Sequence, residues 1–182
     1  MFPRYSKLTV SYRFITYVIV RSNAIFIMLN EALPILMFTN PQRTRPARIV
    51  LAEDNRAIAR LIQIALKRTG VPHDLETVHD GHQAIAAVDK SSAESDTPDL
   101  LLLDLHMPGK DGFDVLEYIK RHALLRRIPV VMFSCTDSPA DVARAYDLHV
   151  NAFVRKNTDF DDLCQTMNAI LHFWLKTVVT PS

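Results

Sequence analysis

Short wholly apolar runs alternate along this chain with longer stretches in which apolar residues recur every three or four positions. The frame is set by residues 98–112, Pro98-Asp99-Leu100-Leu101-Leu102-Leu103-Asp104-Leu105-His106-Met107-Pro108-Gly109-Lys110-Asp111-Gly112. Four leucines, opened by Pro-Asp and closed by a Met-Pro-Gly turn, predict a short strand buried on both faces, as a central parallel strand is. Further strands are predicted at Arg48 to Ala52, Leu75 to Val78, Ile128 to Phe133 and Ala152 to Arg155. Between them Ile58, Leu61, Ile62, Ala65 and Leu66 keep helical spacing up to Gly70, a good stop. Ala84, Ile85 and Val88 predict a short helix, and Lys90 to Thr97 a Ser- and acid-rich loop. Phe113, Leu116 and Ile119 mark a third helix, Ser138 to Tyr146 a fourth, and Phe160, Leu163, Met167, Ile170, Leu171 and Trp174 one stripe of the last. Five strands alternating with five helices demand parallel pairing, and right-handed crossovers give a doubly wound α/β sandwich in a single domain.

Residues 1–46 break this pattern. Their apolar pieces are interrupted by Arg13, Arg21-Ser22-Asn23, Asn30-Glu31 and Pro34, so no charge-free run nears the roughly 20 residues a transmembrane helix needs. Arg13 also spoils a signal-peptide reading, because it breaks the apolar region. The favoured reading is an extension outside the structured protein, poorly ordered or created by a start assigned upstream of Met28 or Met37. A surface-associated amphipathic segment and a membrane anchor are the lesser alternatives. Pro41 to Pro46 reads as a linker, the domain as 47–176, and 177–182 as a tail.

Charge sharpens the division. Residues 1–46 hold six Lys or Arg and one acid, leaving 15 basic and 19 acidic residues for 47–182. An acidic domain makes a poor nucleic-acid binder, because affinity there comes chiefly from neutralising phosphates. Cys135 and Cys164 are too few for a disulfide framework, and Cys135 follows an apolar run expected to bury it. A reducing, cytoplasmic setting fits.

The candidate chemistry collects at strand ends. The first strand runs into Glu53-Asp54, the third into Asp104, the fourth into Ser134 and the fifth into Lys156. In an open α/β sheet these ends lie along one edge, where ligands bind. Three carboxylates and one ammonium leave a formal charge of −2 there, which invites a divalent cation; oxygen donors alone, few in number, suit Mg²⁺. Such an ion would screen an incoming phosphoryl group, letting Asp104 act as a nucleophile while Lys156 and the Ser134 hydroxyl meet other phosphoryl oxygens. Asp111, before Gly112, reads as a helix N-cap rather than a ligand.

Glu53-Asp54, the run from Asp104 to Gly112, Ser134 after Val-Val-Met-Phe, and Lys156 occur in this order on alternating elements. Together they resemble the receiver domain of two-component response regulators, a flavodoxin-like fold, over residues 47–176. The resemblance implies that Asp104 accepts a phosphoryl group from a kinase phosphohistidine, and that Glu53, Asp54 and the His106 backbone carbonyl complete a Mg²⁺ site. Ser134 and Phe153 would form a switch pair, and residues 138–174 a surface for a homodimer or a target. Phe153 replaces the more usual tyrosine, and Asn157 stands where proline normally follows the lysine. The ending Leu171 to Pro181 and the polar loop before Asp99 resemble stand-alone receivers encoded beside phytochrome-type histidine kinases.

Other classes fit less well. A phosphatase of the haloacid dehalogenase type needs a second Asp two residues after the nucleophile, and His106 occupies that position. An interaction module that is never phosphorylated would be expected to lack part of the acid set. The expected enzymatic character is limited to accepting the phosphoryl group and hydrolysing the resulting acyl phosphate.

Overall fold

The structure, a computed structural model, describes residues 18–21, 24–27, 45–93, 97–136, 138–156 and 159–178. In the N-terminal extension, Val18–Arg21 and Ala24–Ile27 pair as an antiparallel two-stranded ladder. Met28, Met37, Asn157 and the tail beyond Val178 lie outside the described residues. No helix among the described residues is long and apolar enough to cross a membrane.

The domain is one five-stranded sheet built from β1 (Ala47–Ala52), β2 (His73–Val78), β3 (Leu100–Leu103), β4 (Val130–Ser134) and β5 (Ala152–Arg155). Five helices alternate with them: α1 (Arg56–Arg68), α2 (Gly81–Ala93), α3 (Gly112–Arg121), α4 (Pro139–Asp147) and α5 (Phe160–Leu171). The strand order is β2-β1-β3-β4-β5 and every pairing is parallel. The order reverses between β1 and β3, so the crevice expected of such a sheet opens beyond the ends of those two strands.

Alternation along the leucine run explains the three layers. Leu101 and Leu103 join Val50, Ala52, Val130 and Met132 in a core that also holds Val88, Leu116, Ile119 and Ala145. Leu100 and Leu102 join Ile49, Leu51, Val131 and Phe133 on the other face, with Ile62, Leu66, Leu163 and Met167. Each side chain so buried contributes about 1.5–3 kcal/mol, and β3 has all four inside. Asp111 does cap α3: its carboxylate accepts from Asp114 N–H at 2.9 Å and the Asp114 side chain accepts from Asp111 N–H at 3.1 Å.

Four local expectations are corrected. Cys135 is exposed, not packed, because β4 ends at Ser134 and the chain bends away from the sheet. α2 is longer than expected, running through Lys90 to Ala93; the Asp80 carboxylate starts it by accepting from Gln83 N–H at 2.7 Å. β4 begins at Val130 rather than Ile128, since Ile128 still closes a 3₁₀ turn over Leu125–Arg127 and Pro129 has no N–H to give a ladder. Finally, α5 widens into a π-helical turn over His172–Thr177. The slower rotation brings Leu175 into the core and leaves Trp174 half-buried, edge-on to Phe173 at 5.1 Å.

Two joints generate predictions. α4 ends in a Schellman motif: His149 N–H bonds to the Tyr146 carbonyl and Val150 N–H to the Ala145 carbonyl, which forces His149 to φ 62°. His149→Gly should therefore stabilise the fold by about 0.5–1 kcal/mol in chemical denaturation, the side-chain strain slightly exceeding the backbone entropy of glycine. At the other joint, Asn151 Oδ1 accepts from Val130 N–H at 2.9 Å and from Lys120 Nζ at 2.8 Å. Burial pulls the Lys120 pKa down from 10.5 to about 8. In that window the unfolded chain binds the extra proton, so folding stability from this residue rises with pH. Lys120→Met, which leaves Asn151 its Val130 donor, should flatten the difference in melting temperature between pH 7.5 and 9.5.

Candidate functional site

Among the described residues, the buried polar or charged ones are Glu53, Asp104, Ser134 and Lys156. Each follows or ends a strand at the same edge of the sheet. Burying polar groups is costly, and the buried polar side chains among the described residues are concentrated at this edge.

Backbone ladders continue just past the strands and fix these residues. Glu53 N–H bonds to the Val78 carbonyl at 3.0 Å, Asp104 N–H to the Ala52 carbonyl at 2.9 Å, and Lys156 N–H to the Ser134 carbonyl at 2.7 Å. Lys156 Nζ lies 2.6 Å from Glu53 Oε2 and 2.8 Å from Asp104 Oδ1, bridging the ends of β1 and β3. Glu53 Oε1 also accepts from Asn55 N–H at 3.3 Å, and Asn55 caps α1. Asp104 Oδ1 accepts a second hydrogen bond, from Leu105 N–H at 2.8 Å. Oδ2 takes none among the described residues.

Electrostatics follow from burial. Burial pushes the Glu53 carboxyl above its ordinary value, against the pull of Lys156. Burial acts to lower the Lys156 pKa, but its hydrogen bonds to Asp104 and Glu53 outweigh it and hold the ammonium above the ordinary lysine value. The site is thus an ammonium shared by two carboxylates, beside a third.

That third carboxylate is Asp54, which is exposed. Glu53, Asp54 and Asp104 each offer an oxygen within 4.8 Å of the others. The donor set is all oxygen, carries net negative charge even after Lys156 is counted, and has an open side, which fits a divalent cation that keeps some of its water. The sequence-predicted acids and the lysine are therefore brought together. Ser134 is fully buried at the same edge, its Oγ accepting from Thr136 N–H at 3.3 Å. Phe153 is half-buried against the core that includes Met132, with which it is in register. His106 is an exposed loop residue.

The approach of α3 shapes the pocket floor. A methyl group on Gly112 would come within 2.8 Å of Leu105 Cα and closer still to the Asp104 carbonyl oxygen. The close packing of helix start against strand end thus depends on this glycine. One residue at the edge is absent from the sequence-level set. The strand-end rule names the ends of four strands but not that of β2, where His79 Nδ1 lies 2.9 Å from the Glu53 carbonyl oxygen. Applying the rule to the weakly patterned second strand would have found it.

Comparison with known proteins agrees with this geometry. The profile of the response regulator receiver domain matches residues 49–168. Response regulator Rcp1 of Synechocystis sp. is 40% identical over 139 residues, covering 75% of this chain and 95% of that protein. The crystal structure of the phosphorylated cyanobacterial phytochrome response regulator RcpA is similar with a TM-score of 0.70 and 44% identity, covering 75% of this chain and 99% of that one. The Mn²⁺-bound form of Rcp1 is similar with a TM-score of 0.67 and 39% identity, covering 75% and 100%.

Removing one partner of a buried pair leaves an uncompensated charge, at a cost of about 3–5 kcal/mol. Lys156→Met should therefore destabilise the domain by that order in denaturant titrations at neutral pH. Adding Glu53→Gln should recover much of the loss, and a double mutant no more stable than Lys156→Met would refute the coupling.

Proposed function

The chain belongs to the response regulator receiver domain family, and on that premise we propose that it is a phosphorylation-controlled signalling module with Asp104 as its phosphoacceptor. The observation that carries this reading is the asymmetric anchoring of one carboxylate. Lys156 and Leu105 N–H hold Asp104 Oδ1, while Oδ2 is unengaged among the described residues. A carboxylate fixed by one oxygen and open at the other is a positioned nucleophile.

In the transfer, Oδ2 bonds to the phosphorus of a histidine kinase's phosphohistidine. The phosphorus–nitrogen bond breaks, and the imidazole leaves with the bonding pair. When bound by Glu53, Asp54, Asp104 and the His106 carbonyl, Mg²⁺ would supply positive charge against the phosphoryl oxygens. Lys156 exchanges part of its hold on the carboxylates for one phosphoryl oxygen, and the Ser134 hydroxyl donates to another. As Ser134 moves, the Phe153 ring turns into the vacated space, and the surface of residues 138–174 changes for a homodimer or a target protein. The module acts on no separate substrate; it accepts the phosphoryl group and loses it by hydrolysis of the acyl phosphate.

The relatives described as phytochrome response regulators support a phytochrome-type kinase as the partner, and a cytoplasmic site of action goes with it. The acidic balance of residues 47–182 argues against nucleic acid as a partner.

Intact-mass spectrometry after incubation with acetyl phosphate and Mg²⁺ tests the chemistry. One phosphoryl adduct is expected, lost in Asp104→Asn and lost on chelation. An adduct that survives the substitution, or a folded wild type that takes none, would sink the assignment.

A further inference from the structure

We propose that His79 is a positioning residue for the acidic pocket: its imidazole replaces a missing backbone donor and fixes the peptide from which Glu53 and Asp54 both project. The proposal rests on the reading that these acids hold a divalent cation.

The register of β1 and β2 shows what is missing. Ala52 pairs with Val78, and Glu53 N–H bonds to the Val78 carbonyl. In a parallel ladder that residue's carbonyl would next accept from the N–H two positions beyond Val78, which is that of Asp80. But the chain has already turned. Asp80 initiates α2, its carboxylate accepting from Gln83 N–H at 2.7 Å and its carbonyl from Ala84 N–H at 3.0 Å. The Glu53 carbonyl receives instead the His79 side chain, with Nδ1 at 2.9 Å. A carbonyl oxygen only accepts, so Nδ1 carries the proton in this contact.

The consequence falls mainly on Asp54. Glu53 has its own restraints, being buried and tied to Lys156 and to Asn55 N–H. Asp54 is exposed, and its carboxylate has no hydrogen bond or ion pair among the described residues. The fold therefore places its Cα–Cβ bond only through the backbone, of which the Glu53–Asp54 peptide plane is part, and His79 holds the oxygen of that plane. Partners that orient a metal ligand without touching the metal commonly change affinity on the order of 10-fold or more when removed.

The test compares His79→Leu, which loses the donor, with His79→Asn, whose amide N–H can occupy the Nδ1 position. Calorimetric Mg²⁺ binding by the full 182-residue chain is read together with the Mg²⁺ concentration giving half-maximal phosphorylation by acetyl phosphate. His79→Leu should raise both on the order of 10-fold, with the rate at saturating Mg²⁺ and the cation-free melting temperature close to wild type. His79→Asn should restore both. Unchanged Mg²⁺ affinity in His79→Leu, beside a wild type that binds and reacts, overturns the proposal alone. Equal weakening in both variants with a matching fall in melting temperature also overturns it, by reducing His79 to a structural contact. A folded wild type that neither binds Mg²⁺ nor takes the phosphoryl group removes the underlying reading as well.

Discussion

An ammonium held between two buried carboxylates organises this molecule. Lys156 reaches from the end of β5 to Glu53 at 2.6 Å and Asp104 at 2.8 Å, spanning the edge where the strand order reverses. Such a triad contributes little net stability, because withdrawing three charges from water offsets most of their attraction. Its value lies in geometry. The triad exists only if β1 and β3 end level with one another and β5 runs two residues beyond that level, to Arg155, so the whole sheet register is expressed at this point. The remaining features of the edge follow: Asn55 starts α1 beside Glu53, Gly112 lets α3 close over Asp104, and the Lys156 N–H ties the last strand to Ser134.

Much of this was legible in the residues, for a physical reason. A strand buried on both faces must be apolar throughout, so Leu100 to Leu103 announces a central position and the first charge after it, Asp104, announces the edge. Apolar runs at Arg48 to Ala52 and Ala152 to Arg155 did the same for Glu53, Asp54 and Lys156. The outer strand β2 alternates half-buried and exposed residues up to Val78, gives a weaker signal, and hid His79. Side-chain substitution for a backbone donor also leaves no periodic trace. The fate of Cys135 turned on a single residue, whether β4 stops at Ser134 or one later. The length of α2 was obscured by Ser91 and Ser92, whose preference for caps and turns suggested a loop. Lys120 looked like an ordinary charged helix end, because nothing local reveals that Asn151, 31 residues away, accepts its hydrogen bond.

The same contrast separates the motif residues from the contacts around them. The acid pair, Asp104 and the lysine are read from type and order alone, and all lie within residues 49–168, the span that matches the family. Other features lie in contacts between elements, which type and order do not reveal: the imidazole against the Glu53 carbonyl, the Arg144 guanidinium lying over the Phe113 ring at 4.0 Å, and the π-helical turn that ends the last helix.

The two oxygens of Asp104 are equivalent in a free carboxylate, yet the fold makes them different groups. Oδ1 receives both a charged and a backbone donor, whereas Oδ2 receives neither among the described residues. The negative charge that resonance would divide evenly is stabilised toward Oδ1, and the carboxyl plane cannot rotate without breaking two bonds at once. A symmetric side chain has acquired a handedness from its surroundings. An adduct formed on it would point in one direction, and the water that later removes that adduct would have one side from which to arrive.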